Sequence, residues 1–177
     1  MTDALASTLL AAGPDPAHAD ALATFGRFAG TWDLVSTRWH PDGTPFQAGA
    51  TGTWTFGWAL RGRGMIDVLD GEVGFGVTTR TYQPSEDAWN VAWNSAASPY
   101  VLTLVARREG ARIVLRGESQ DGLEEWSFDD IAGDRFVWRS RVSPDDGVSW
   151  YVDQEIRCTR RATPLASHGM GVRHSTA

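Results

Sequence analysis

The sequence predicts an all-β protein, a closed antiparallel meander β-barrel of about ten strands with a short N-terminal helix capping one end. From Thr31 to Arg160 apolar and polar residues alternate with a period of two, and no stretch of that span carries a helical period. Turn signals break it about every 11–14 residues, among them Pro41-Asp42-Gly43, Asp70-Gly71, Asp121-Gly122 and Pro144-Asp145-Asp146-Gly147. A meander this long closes on itself, because closure removes the unpaired edges.

In chain order, Leu5, Leu9 and Leu10 form a weak amphipathic turn that Gly13-Pro14 ends. Asp15 reads as an N-cap with Pro16 at the first helical position, opening a helix over 16–28. Leu22, Phe25 and Phe28 share one face of that helix, suited to closing a barrel end. Strands follow at 31–40, 50–60, 63–69, 73–83, 88–95, 100–107, 112–118, 123–129, 135–143 and 148–160. Residues 1–161 form one domain and 162–177 a loose polar tail.

Composition narrows the function classes. A net charge of −6 and a pI near 5.1 argue against a nucleic-acid surface. All 16 basic residues are arginine, a habit of GC-rich genomes that also excludes lysine Schiff-base chemistry and a phosphate-loop lysine. The single Cys158 leaves neither an internal disulfide nor a cysteine zinc site. Met1–Ala12 lacks a positive n-region, and no run approaches the roughly 20 apolar residues of a membrane span. A cytoplasmic protein without membrane contact is expected.

Alternation assigns the inward faces. Trp54/Phe56/Trp58, Val73/Phe75/Val77, Trp89/Trp93, Tyr100/Leu102/Leu104, Trp126/Phe128, Phe136/Trp138 and Trp150/Val152/Ile156 fall on apolar sides. Eight of the nine tryptophans then point inward, with Trp39 the exception. Indoles can simply fill a barrel, but ten strands enclose more room than eight, and Gly74, Gly76 and Gly117 thin the wall. The ligand-binding candidates are accordingly Trp54, Phe56, Trp58, Trp89, Trp93, Tyr100, Trp126, Trp138, Trp150 and Gln154.

The same alternation places Ser36, Arg38, His40, Thr79, Thr81, Glu124 and Ser140 inside, and leaves the face of Asp67 ambiguous. Arg38 suits a carboxylate or enolate, although a solvated strand-end arginine explains it equally. Asp67 and Glu124 are candidate general bases, since a carboxylate desolvated among indoles has a raised pKa. Their alternative reading is a surface residue or an internal ion-pair partner. No metal-ligating cluster stands out, and Asp129-Asp130 read as solvated turn residues.

His18 and Leu22 before Gly30-Thr31-Trp32-Asp33, the pair Thr81-Tyr82 and the closing Ile156-Arg157-Cys158-Thr159-Arg160-Arg161 resemble the lipocalin-like, calycin-type bacterial barrels of undefined function. The resemblance spans about residues 17–161. It implies that Trp32 sits at the closed end of the barrel under Arg157 or Arg160. Haem-binding relatives similar to nitrobindin carry Gly-x-Trp-x-Gly-x-Gly and a late-strand histidine. Here Leu34 and Ser36 replace the later glycines, and His168 and His174 lie in the tail, so no cofactor is implied.

The first functional reading is a barrel binding a small hydrophobic, partly conjugated molecule with a polar or acidic end. The second is a cofactor-independent enzyme of cyclase, isomerase or pericyclase type using the same cavity, with Arg38, Tyr100 or Gln154 polarising and Asp67 or Glu124 moving a proton. The third is a packed barrel acting by association, its Arg-rich outer faces supporting a homodimer. A lumen carboxylate without an arginine partner would favour catalysis, because it costs stability.

Overall fold

A computed structural model describes residues 4–162. Ten strands close into one antiparallel barrel, each hydrogen-bonded to its sequence neighbours, with the first sealed against the last. They are β1 (Gly30–Trp39), β2 (Pro45–Ala59), β3 (Gly64–Gly71), β4 (Gly74–Gln83), β5 (Ala88–Ser95), β6 (Val101–Glu109), β7 (Arg112–Ser119), β8 (Gly122–Asp129), β9 (Arg135–Ser143) and β10 (Tyr151–Arg160). Helix α1 (Ala4–Leu9) precedes them, then a 3-10 turn at Pro16–His18 leads into α2 (Ala19–Gly26). The closed ten-strand meander is the architecture that alternation and turn spacing predict. Residues 163–177 of the expected tail, with His168 and His174, lie outside the described residues.

Local chemistry explains how the chain enters the barrel. The Asp15 carboxylate accepts a 3.0 Å hydrogen bond from the Ala17 amide, capping the turn that Pro16 opens. Leu22 and Phe25 of α2 are buried, and Phe28 follows them into the core. The helix is shorter than 16–28 because its first turn is 3-10 and its end unwinds before Phe28. Trp32 donates from Nε1 to the Phe28 carbonyl at 2.7 Å. The Arg160 guanidinium stacks 4.0 Å from the Trp32 ring and donates to the carbonyls of Arg27, Ala29 and Gly133. This is the closed end, and Arg160 rather than Arg157 covers Trp32. Arg157 pairs with Glu155 instead.

Two strands depart from simple alternation. In β4 the buried positions are Gly76, Thr78 and Arg80, whereas Phe75 is 51% exposed and Thr79 and Thr81 line an outer surface groove. The inward phase is hidden because a glycine occupies it. A Cβ at Gly76 would lie 2.4 Å from the Trp93 ring, so the indole takes the space a side chain would fill. In β10 a bulge between Val152 and Gln154 inserts Asp153. Gln154 and Ile156 keep the predicted inward phase, but beyond the bulge Tyr151 pairs with the buried Val142, and Tyr151 and Asp153 line the cavity. Trp150 consequently stacks on the outward Arg141, 5.2 Å away, and does not face the lumen.

The outer face of β7–β10 is an ion-pair lattice. Arg112 and Arg139 share Asp129, Arg139 also reaches Glu155 at 2.7 Å, and Arg116 and Arg141 share Glu125. Asp129, read from sequence as solvated, is buried under these arginines. Cys158 is a free thiol buried in the core.

Candidate functional site

The core is divided. Its closed half, under α2, is filled by phenylalanines: Phe28 lies 4.7 Å from Phe136 and 4.9 Å from Phe128, ring centroid to centroid. At its centre is a charged pair, Arg80 and Asp67, respectively 1% and 0% exposed. The guanidinium is sandwiched by Phe25, Phe56 and Phe128 at 5.1–5.8 Å. Burial pulls the Arg80 pKa down to about 9, still above neutrality, so the guanidinium stays charged beside Asp67. Asp67 also accepts a 2.6 Å hydrogen bond from Trp54 Nε1. Trp54 thereby forms the partition, its polar edge held by the closed half and its ring lining the other.

Beyond Trp54 the barrel is hollow. A cavity of about 570 Å³ opens at the end away from α2, with Trp93, Trp126, Trp138 and Leu69 on its walls and Phe46 and Phe75 among its lining. Trp126 and Trp138 meet edge to face at 5.1 Å, forming an aromatic corner. Among the predicted binding residues, Trp54, Trp93, Tyr100, Trp126, Trp138 and Gln154 line this space. The others do not. Phe56 and Trp89 pack in the closed half, Trp58 sits against Gly26 of α2, and Trp150 is on Arg141.

Of the three candidate catalytic residues, Arg38 and Glu124 line the cavity and Asp67 lies behind the partition. Glu124 is 4% exposed and accepts a 3.0 Å hydrogen bond from the Tyr100 hydroxyl. Burial pushes its pKa above the usual carboxylate range. Hydrogen bonds from Ser119 and Tyr100 oppose that shift, and the Asp153 charge adds to it. Burial and the neighbouring carboxylate push the Tyr100 hydroxyl up as well, so it remains a neutral donor. Among the described residues no basic side chain pairs with Glu124.

Arg38 stands nearer the mouth, its side chain 40% exposed, 4.0 Å from Asp153 and over the Phe46 ring. Its Nε, Oδ1 of Asp153 and Nε1 of Trp138 are buried without hydrogen-bond partners. Gln154 donates to Ser36 Oγ at 3.0 Å, a polar pair on the β1 and β10 wall. His40 packs against Phe46 at 4.7 Å beside the turn it precedes. Alternation missed Asp153 and Tyr151, because only the bulge turns them inward, and it missed Arg80 with the phase of β4.

The arrangement can wrap a flat apolar body in indoles and present to it one buried carboxylate and a phenol. Among the described residues no group of three or more His, Cys, Asp or Glu side chains is placed to hold a metal ion. No described helix is long and apolar enough to cross a membrane.

No family model matches the chain, and no curated protein matches its sequence. In structure it is similar to the crystal structure of Rv2717c from M. tuberculosis, with a TM-score of 0.53 and 14% sequence identity over 84% of this chain and 99% of that one. The likeness is one of fold: a barrel of this kind, shared at low identity.

Proposed function

We propose that this barrel binds a small, largely aromatic molecule inside its open half. The observation that carries the reading is the 570 Å³ cavity walled by Trp54, Trp93, Trp126 and Trp138, into which a few polar groups converge. Filling the barrel would not require an empty half, and the phenylalanine-packed closed half shows how this chain fills space when it does so. Intrinsic fluorescence tests the reading. A panel of aromatic amines, acids and polyenes should include members that quench or shift the tryptophan emission saturably. A flat response across the panel would return the barrel to a role in protein association.

Glu124 favours a second reading, a cofactor-independent enzyme. A buried carboxylate with a raised pKa and no basic partner costs stability, and it is suited to taking and returning a proton on a bound substrate. Tyr100, donating to Glu124, would hold that carboxylate in place for the transfer. Incubation of any fluorescence hit, followed by mass and isomer analysis, separates turnover from carriage. Loss of turnover in Glu124→Gln with binding retained would assign the proton transfer.

A further inference from the structure

We infer that the occupant of this cavity is a protonated amine on an aromatic body. The inference rests on the binding reading above and narrows it to a ligand class. Three carboxylates line the cavity, Asp121, Glu124 and Asp153, against one guanidinium, that of Arg38, and one imidazole, that of His40. The acids act on one another and on the same phenols: Asp153 bears electrostatically on Glu124, and all three bear on Tyr151. Arg38 is at the mouth, its side chain 40% exposed, and it lies 4.0 Å from Asp153.

The walls agree with the sign of that charge. Indole faces attract cations, most strongly where water is excluded. Trp126 and Trp138 present two such rings at their edge-to-face corner, and Trp126 follows Glu124 two residues on along the same face of β8. A carboxylate ligand would instead bring like charge against Glu124 in a poorly hydrated space.

The test is calorimetric titration of the full chain near neutral pH with three matched probes: a methoxynaphthyl-ethylamine, the corresponding alcohol, and the corresponding acetic acid. The amine should bind about tenfold or more tightly than the alcohol, with the acid weakest. In Glu124→Gln, and separately in Asp153→Asn, the amine's advantage should shrink toward the alcohol's affinity while alcohol binding persists. Persistence of alcohol binding also reports that the barrel is folded, and Asp153→Asn serves if Glu124→Gln does not fold. Equal or tighter binding of the alcohol or the acid in the wild type would overturn the amine assignment and leave the cavity reading standing, with Arg38 then the recognition group. An amine preference unchanged in both variants would also overturn it. Failure of all three probes to bind would overturn both.

Discussion

The phenolic hydroxyl of Tyr100 donates a 3.0 Å hydrogen bond to Oε1 of Glu124, a carboxylate that burial holds above its ordinary pKa. That relationship fixes a pH signature. Glu124 gives up its proton at higher pH in the folded barrel than in the unfolded chain, so between the two values the folded state binds more protons. Stability contributed at this site therefore falls as pH rises from the ordinary carboxylate range through the raised folded value. Glu124→Gln keeps an acceptor for Tyr100 and removes the titration. Urea unfolding of both proteins across pH should show the wild type losing ground to the variant as pH rises. A constant difference would mean that Glu124 ionises alike in both states.

Asp67 and Arg80 make the opposite kind of buried acid, one compensated by its partner. Arg80→Met leaves the carboxylate of Asp67 alone among aromatic rings, a change that typically costs about 3–5 kcal/mol. Asp67→Asn in the same chain removes the stranded charge while keeping an acceptor for Trp54 Nε1. The double variant should therefore be more stable than Arg80→Met alone. Denaturant midpoints of the two single variants and the double give the coupling directly. A double variant that loses the sum of the single losses would show that the two residues act independently.

Arg160 ties the last strand to the turn before the first, donating to three backbone carbonyls while covering Trp32. Arg160→Ala should destabilise the barrel by about 2 kcal/mol through lost charge-assisted hydrogen bonds and the cation–aromatic contact. Arg160→Lys should recover little of it, because an ammonium cannot span the carbonyls and stack on the indole together. Thermal unfolding of the pair measures both. Full recovery by lysine would show that charge alone matters at this position.

What could be read from the chain was what its chemistry settles locally. Asp15-Pro16 starts the helix because a carboxylate caps and a proline is pre-bent, and Asp-Gly turns pair the strands beside them. Glu124 fell on the lumen side because β8 alternates without interruption, and Tyr100 because it continues the phase of Leu102 and Leu104 in β6. The failures all depend on a neighbour elsewhere in sequence. Arg80 is inward only because Asp67, on the paired strand, neutralises it. One inserted residue, Asp153, reverses the faces of Tyr151 and Trp150, and nothing local to that strand signals the insertion. The partition between packed and hollow halves is likewise a property of facing strands, where Phe28, Phe128 and Phe136 meet on one side of Trp54.

Gly76 joins the misread strand to the cavity and carries the last prediction. Its Cβ position is occupied twice over, by the Trp93 ring tip at 2.4 Å and by the Asn94 carbonyl oxygen at 2.6 Å. In Gly76→Ala the backbone carbonyl cannot retreat without loosening the β4–β5 ladder, so the indole must move as well. The strain should cost about 1–3 kcal/mol, the usual range for overpacking. Because Trp93 lines the cavity, the displaced ring should also alter ligand access. Two measurements are therefore linked: a lower unfolding midpoint, and weaker quenching by any cavity-binding probe. Gly64→Ala is the control, since its Cβ would meet the Arg80 carbonyl oxygen at 2.6 Å at a position that does not line the cavity. That variant should lose stability while keeping probe affinity. Equal loss of affinity in both would show that general loosening of the wall, and not the placement of Trp93, governs binding.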